Sequence, residues 1–315
     1  MFYYDDGLWI DRPRFAIDVC RGQRAAFISH AHGDHIARHG LTYATPITIN
    51  LLQHRLGVRN CIALPCGVPH DLPGAQLTTY PAGHILGSAM LLVSGAERLL
   101  YTGDFKLSPS ATAEPAEVPR ADILIMESSF GDPRFRWPPR ETVVDQLINT
   151  VGEAIAKGVF PVIRAYALGK AQEVTRILTA AGFAVTQHPV IAAMSAIYEA
   201  SGCSLGNYDV YRTAPETPSA LIFPPRTQKA GYYELPTRTV RIAVTGWAAT
   251  FGSRHQLDVE HAIPLSDHAD FDELLQCIDM VDPKQIYCTH GPTTFVDHLR
   301  SLGLPAQVLG AKTLA

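Results

Sequence analysis

Long hydrophobic runs are missing from this 315-residue chain: nothing approaches the roughly eighteen consecutive apolar residues of a membrane-spanning helix. No transmembrane segment and no membrane partner is therefore expected. The start, Met1-Phe2-Tyr3-Tyr4-Asp5-Asp6, is acidic and aromatic, which is the wrong chemistry for a signal peptide. No C-x-x-C pair occurs among Cys20, Cys61, Cys66, Cys203, Cys277 and Cys288. Cys61 and Cys66 lack the second pair that a structural zinc knuckle needs, so the cysteines read as reduced thiols and the chain as cytoplasmic. Positive charge is also scarce: 26 Lys and Arg stand against 30 Asp and Glu, a net −4. Taken whole, that balance argues against a basic nucleic-acid binder. No internal repeat or low-complexity tract is visible, and 47% hydrophobic residues exclude a disordered chain.

The charge is unevenly spread. Residues 134–254 hold 13 Lys/Arg and 8 Asp/Glu, whereas the remainder holds 13 and 22. A basic middle section on an acidic body fits a phosphate-binding lid over a metal site. The metal site itself is suggested by Ser29-His30-Ala31-His32-Gly33-Asp34-His35. The apolar run Ala25–Ile28 leads in as a buried strand, and Gly33 permits a sharp turn. On extended backbone His30 and His32 project to one side. Asp34 and His35 follow the turn and face the same hollow. Imidazole nitrogens and carboxylate oxygens in this spacing suit two zinc ions side by side.

Other ligand-type residues follow in order. Asp18, twelve residues before His30, is placed to orient a metal-binding His through its second nitrogen. Residues 36–60 read as helix, strand, helix, with His39 and His54 on the surface. His84 lies in a loop between Gly83 and Gly87 and is expected to complete the first ion's shell. Asp104 ends the strand-like Leu99–Phe105 run at a glycine turn, where it can bridge two ions. The apolar strand Ile123–Met126 ends in Glu127. Basic, aromatic and proline residues then mix from Pro133 to Arg140, marking a domain boundary. That patch suits either a stiff linker or a surface that contacts phosphates and stacks bases. A helix over 140–157 and strand–helix units to residue 201 make the middle section a small α/β unit. There Gly169 and Lys170 open a helix after a strand, a plausible phosphate site without a Walker motif. Near the end, His268 precedes the helix Phe271–Met280 as a candidate proton donor. His290 ends a strand, where it can close the second ion's shell.

Together these residues resemble a known family. His30-x-His32-x-Asp34-His35, His84 and Asp104 resemble motifs two to four of the metallo-β-lactamase superfamily, with Asp18 as motif one. Glu127-Ser128-Ser129, Ser266-Asp267-His268-Ala269-Asp270 and Thr289-His290-Gly291 resemble motifs A, B and C of its β-CASP branch of nucleases. The resemblance implies an αββα sandwich with an inserted small α/β β-CASP domain. Its lobes would be residues 1–132 with 255–315, and 133–254. It implies two Zn²⁺, with Mn²⁺ accepting the same ligands. His30, His32 and His84 would hold one ion, Asp34, His35 and His290 the other, and Asp104 both. A zinc-bridged hydroxide would attack phosphorus, with His268 protonating the leaving oxygen and Glu127 orienting it. Within the branch the chain looks most like bacterial ligase-associated DNA exonucleases, which work beside an ATP-dependent DNA ligase and a helicase in repair. His290, however, is a feature of RNA-processing members, so RNA stays open as substrate. A small-molecule metallo-hydrolase leaves Glu127 and His268 unexplained, and a non-catalytic binding subunit leaves the full ligand set unexplained.

Overall fold

The computed structural model describes residues 1–58, 60–225, 233–250 and 253–310. The chain divides into two compact units, Met1–Pro133 with His268–Ala315, and Arg134–Asp267. The second unit runs past the expected 254. The cause is strand His261–Ile263, which pairs in parallel with Thr239–Val244 and so belongs to that unit's sheet.

The first unit is built on two sheets. Strands Phe2–Tyr4, Leu8–Ile10, Phe15–Ile17, Ala26–Phe27, Thr42–Ala44 and Cys61–Ala63 pair in chain order. The second sheet runs Ala306–Val308, Gln285–Thr289, Ile123–Glu127, Arg98–Tyr101, Ala89–Ser94, Ala75–Pro81, His70–Leu72. Side-chain alternation sorts its residues between two cores. Leu91, Val93, Leu99, Tyr101, Ile123 and Ile125 meet Phe15, Phe27 and Tyr43 of the first sheet. Their neighbours Met90, Leu92, Leu100, Leu124 and Met126 face Phe271, Leu274, Ile278, Phe295 and Leu299. Those last residues form the apolar stripes of helices Phe271–Val281 and Thr293–Ser301. Each such side chain contributes about 1.5–3 kcal/mol by leaving water. Helix Pro46–Leu56 packs beside strand Cys61–Ala63 of the first sheet. The layering is the expected αββα sandwich.

The helix Phe271–Val281 starts where it does because Asp270 accepts the Glu273 N–H at 2.9 Å while the Glu273 carboxylate reaches back to Asp270 N. The helix expected just after residue 35 is absent: residues 36–41 are irregular and only strand Thr42–Ala44 and helix Pro46–Leu56 follow. Cross-segment bonds claim that backbone instead. Gly40 N donates to Gln23 O at 2.7 Å, and Gln23 N to His39 Nδ1 at 3.1 Å. His39 is accordingly buried rather than on the surface.

The second unit is a parallel sheet in the order Tyr208–Val210, Val185–Gln187, Ala220–Phe223, Phe160–Arg164, Thr239–Val244, His261–Ile263. Helices Arg140–Ala156, Lys170–Ala180 and Pro189–Ala200 accompany it. Among the described residues, no helix is long and apolar enough to cross a membrane.

Candidate metal centre

Strand Ala26–Phe27 is short, and the chain leaves it at Ser29 to begin the histidine turn. Ser29 is pinned by Asp18, which accepts its N–H at 2.8 Å and its hydroxyl at 2.5 Å. The Arg55 guanidinium donates to the Ala31 carbonyl and fixes the backbone between His30 and His32. The result is a packed group of imidazoles. The His30 ring centroid lies 4.7 Å from that of His32, 4.7 Å from His84 and 4.2 Å from His35.

Asp104 is the hub. Its Oδ2 is 3.5 Å from His30 Nε2, 3.4 Å from His35 Nε2, 3.9 Å from His84 Nε2 and 4.0 Å from His268 Nε2. Of the donor sets that share it, His30, His32, His84 and Asp104 form one, and His35, Asp104 and His290 another. Within each set the nitrogens and oxygens lie within 4.8 Å of one another. Among the described residues His30 Nε2, fully buried, has no hydrogen-bond partner, a costly state for a polar atom unless a ligand completes it. His84 Nε2 approaches His32 Nδ1 to 3.1 Å. Two nitrogens at ~2.0–2.1 Å from a tetrahedral zinc are separated by about 3.3 Å, so this spacing fits a shared ion. The residues present thus fit transition-metal ions.

The surrounding charges bias the cluster toward anion on Asp104. Burial alone would raise its pKa, but His268, His35 and His30 outweigh that and hold it well below the ordinary carboxylate range. Burial pulls His30 well below the usual imidazole value, helped by His35. Burial also pulls His35 down, yet Asp18 and Asp104 overcome it and set its pKa at about 11. Asp18 Oδ2 lies 2.9 Å from His35 Nδ1 and accepts the Tyr101 hydroxyl at 2.9 Å. That bond leaves His35 Nε2 aimed at Asp104.

His268 and Glu127 form a pair. Glu127 is 1% exposed, accepts the Phe105 N–H at 2.9 Å, and holds His268 Nδ1 at 3.0 and 3.1 Å. Asp104, Glu127 and His268 also make a third donor set.

Two expectations change in the folded chain. Asp34 stands at the rim: its side chain is 80% exposed and its nearest oxygen is 3.9 Å from His35 Nε2. The turn at Gly33 carries it outward, so it is outside both donor sets. Gly169 and Lys170 do not present a phosphate site. Both are buried, Gly169 N donates to Gln172 Oε1 at 2.8 Å, and the Lys170 ammonium lies 3.4 Å from Asp267 and 3.8 Å from Glu173. Sequence reading missed Ser29, Arg55 and Tyr101. Ser29 had a signal, adjacency to His30; Tyr101 had none.

Glycine 291 sets the backbone at His290. A Cβ there would collide with the Ser128 carbonyl and hydroxyl, and His290 itself adopts φ 55°. Gly291→Ala is expected to cost about 1–3 kcal/mol, read by chemical denaturation. An unchanged midpoint would contradict the close approach.

Residues 256–308 match the family described as "Zn-dependent metallo-hydrolase RNA specificity domain". A probable DNA ligase of Opitutus terrae is 34% identical over 98% of this chain and 31% of its own length. The transcription termination factor FttA of Thermococcus kodakarensis is 32% identical over 53% of this chain and 32% of its own length. The chain therefore spans about a third of the length of these relatives. A crystal structure from Enterococcus faecalis, of a protein of unknown function, superimposes with a TM-score of 0.59 at 16% identity, covering 85% of this chain and 76% of the other. The sandwich, the inserted parallel unit and the shared Asp104 agree with these likenesses: the chain belongs to the metallo-β-lactamase superfamily, in its β-CASP branch.

Proposed function

We propose that this chain is a metal-dependent phosphodiesterase acting on nucleic acid, most specifically a DNA exonuclease of repair. The observation that carries the reading is Asp104 Oδ2, set within 3.4–4.0 Å of four imidazoles and shared by three donor sets. His30, His32 and His84 would hold one ion, His35 and His290 the other, and Asp104 both. Bound there, the ions would lower the pKa of a water toward neutrality and offset the phosphate's charge. The chain's own part is to aim and to move protons. Asp18 holds His35 by its Nδ1, so that its Nε2 faces the centre. Glu127 holds His268 by its Nδ1, leaving Nε2 to protonate the departing oxygen.

DNA as substrate, and joint action with an ATP-dependent ligase and a helicase, are favoured by the relative named a probable DNA ligase, which matches 98% of this chain. The RNA reading is favoured by the family described as an RNA specificity domain at residues 256–308. End-labelled DNA and RNA strands digested side by side by zinc-loaded protein decide between them. Faster loss of the RNA strand would overturn the DNA assignment. A cytoplasmic location goes with this role.

Elemental analysis should find two transition-metal ions per chain. Asp104→Ala should release more metal than any single His→Ala change, because both ions share it. Protein that holds no metal, with phosphodiesterase activity indifferent to chelator, would refute the metal mechanism.

A further inference from the structure

The second unit carries a pocket of about 260 Å³ lined by none of the metal-centre residues. Arg164, Tyr166, Pro225, Thr245, Trp247 and Asp258 line it. It opens where strands Phe160–Arg164 and Thr239–Val244 end, side by side and parallel. The chain leaves the first toward Val185–Gln187 and the second toward His261–Ile263, on opposite sides. Open parallel sheets bind ligands at such diverging carboxyl ends.

The lining is unusual for bare surface. Tyr166 is 57% exposed and Trp247 51%, large aromatic faces that folding alone would bury. Trp247 is held rather than loose. Its backbone N–H donates to Thr245 Oγ1 at 3.4 Å, its carbonyl accepts the Thr250 hydroxyl at 3.0 Å, and its ring meets buried Phe135 edge-on at 5.4 Å. Phe135 in turn contacts Trp137 at 6.2 Å and is flanked by exposed Arg134 and Arg136. Arg164 adds a cation to the lining. The one carboxylate of the lining, Asp258, lies 2.8 Å from Arg241, which also pairs with Glu260 at 2.8 Å. The volume is below that of pockets for drug-sized ligands, roughly 300–1,000 Å³, and suits one planar ring.

We propose that this pocket holds one unstacked nucleobase of a single-stranded segment. Trp247 and Tyr166 supply the aromatic faces, and Arg164 with the Arg134–Arg136 stretch meets the flanking phosphates. The proposal rests on the nucleic-acid reading above and adds a specific contact to it. Stacking on an aromatic side chain accounts for roughly five- to 150-fold in affinity per base.

The test uses the full chain stripped of metal by chelator, so that binding is measured without cleavage. The probes are a single-stranded oligothymidylate and an abasic strand of equal length, titrated by tryptophan fluorescence and by anisotropy of a labelled strand. Oligothymidylate should quench wild-type fluorescence. Trp247→Ala and Tyr166→Ala should each weaken its binding by roughly five- to 150-fold, with unchanged melting temperature. The abasic strand should bind wild type and variants alike. Equal affinity of wild type and both variants for oligothymidylate would overturn the pocket's role, as would equal affinity of wild type for both strands. If base-dependent binding is seen but the metal-loaded protein cleaves no strand, the pocket stands and the nuclease reading falls. If strands are cleaved and binding ignores the base, the reverse holds.

Discussion

His268→Ala is expected to keep its metal and its fold and to lose about a hundredfold to ten-thousandfold in phosphodiesterase rate, the usual range for a lost proton donor. Geometry gives the reason. One ring nitrogen is held by both oxygens of Glu127, at 3.0 and 3.1 Å, and the other lies 4.0 Å from Asp104 Oδ2. With its side chain 23% exposed, the imidazole can reach a substrate oxygen, unlike fully buried His30. A substrate with a good leaving group, such as a nitrophenyl phosphodiester, should recover much of the rate, because its departing oxygen needs no proton. Equal loss on both substrates would assign His268 to positioning the phosphate. Loss of metal in the variant would make it a ligand instead, the role its third donor set with Asp104 and Glu127 allows. Glu127→Gln should keep the Phe105 contact yet weaken the hold on His268, giving a smaller loss of the same kind.

The second large effect is on stability. Lys170→Met should destabilise the protein by about 3–5 kcal/mol, because it removes one member of a buried charge group. Lys170 is 1% exposed and lies 3.4 Å from Asp267 and 3.8 Å from Glu173, while Glu173 also takes Arg140 at 2.8 Å. Two cations and two carboxylates balance. Removing Lys170 leaves its carboxylates in a dry setting with less compensation. Methionine keeps the volume, so a cavity is not the cause. Urea denaturation measures the change, and a loss under about 1 kcal/mol would mean that water already screens the group.

Much of the centre was legible because it is local. His30, His32 and His35 lie in one turn, and period-two projection brings the first two together. The unbroken apolar runs Leu99–Tyr101 and Ile123–Met126 likewise point to strands buried on both faces. What stayed hidden depends on distant partners. Tyr101 reaches Asp18 across 83 positions, and nothing near either residue announces it. Lys170 at a helix start looked free to bind phosphate, since burial against Asp267 is a property of the folded sheet. Asp34 sat in the right motif but on the outer side of the Gly33 turn. The pocket beside Trp247 is assembled from four separated segments, so no single stretch of sequence signals it.

The parallel pairing of Ile123–Glu127 with Gln285–Thr289 has a kinetic consequence. Ser128 and Thr289, at the end of this pairing, are joined across 161 positions. During synthesis the strand Ile123–Glu127 waits with one edge open until the whole inserted unit has been made. An unpaired apolar strand of that kind templates association with other chains. His268 and His290 arrive only with that last segment, so a growing chain holds the first donor set well before the second. Loop closure over such a span is slow. Productive folding therefore favours early collapse of the inserted unit, whose parallel sheet is drawn from one continuous stretch and which shortens the distance its flanks must close.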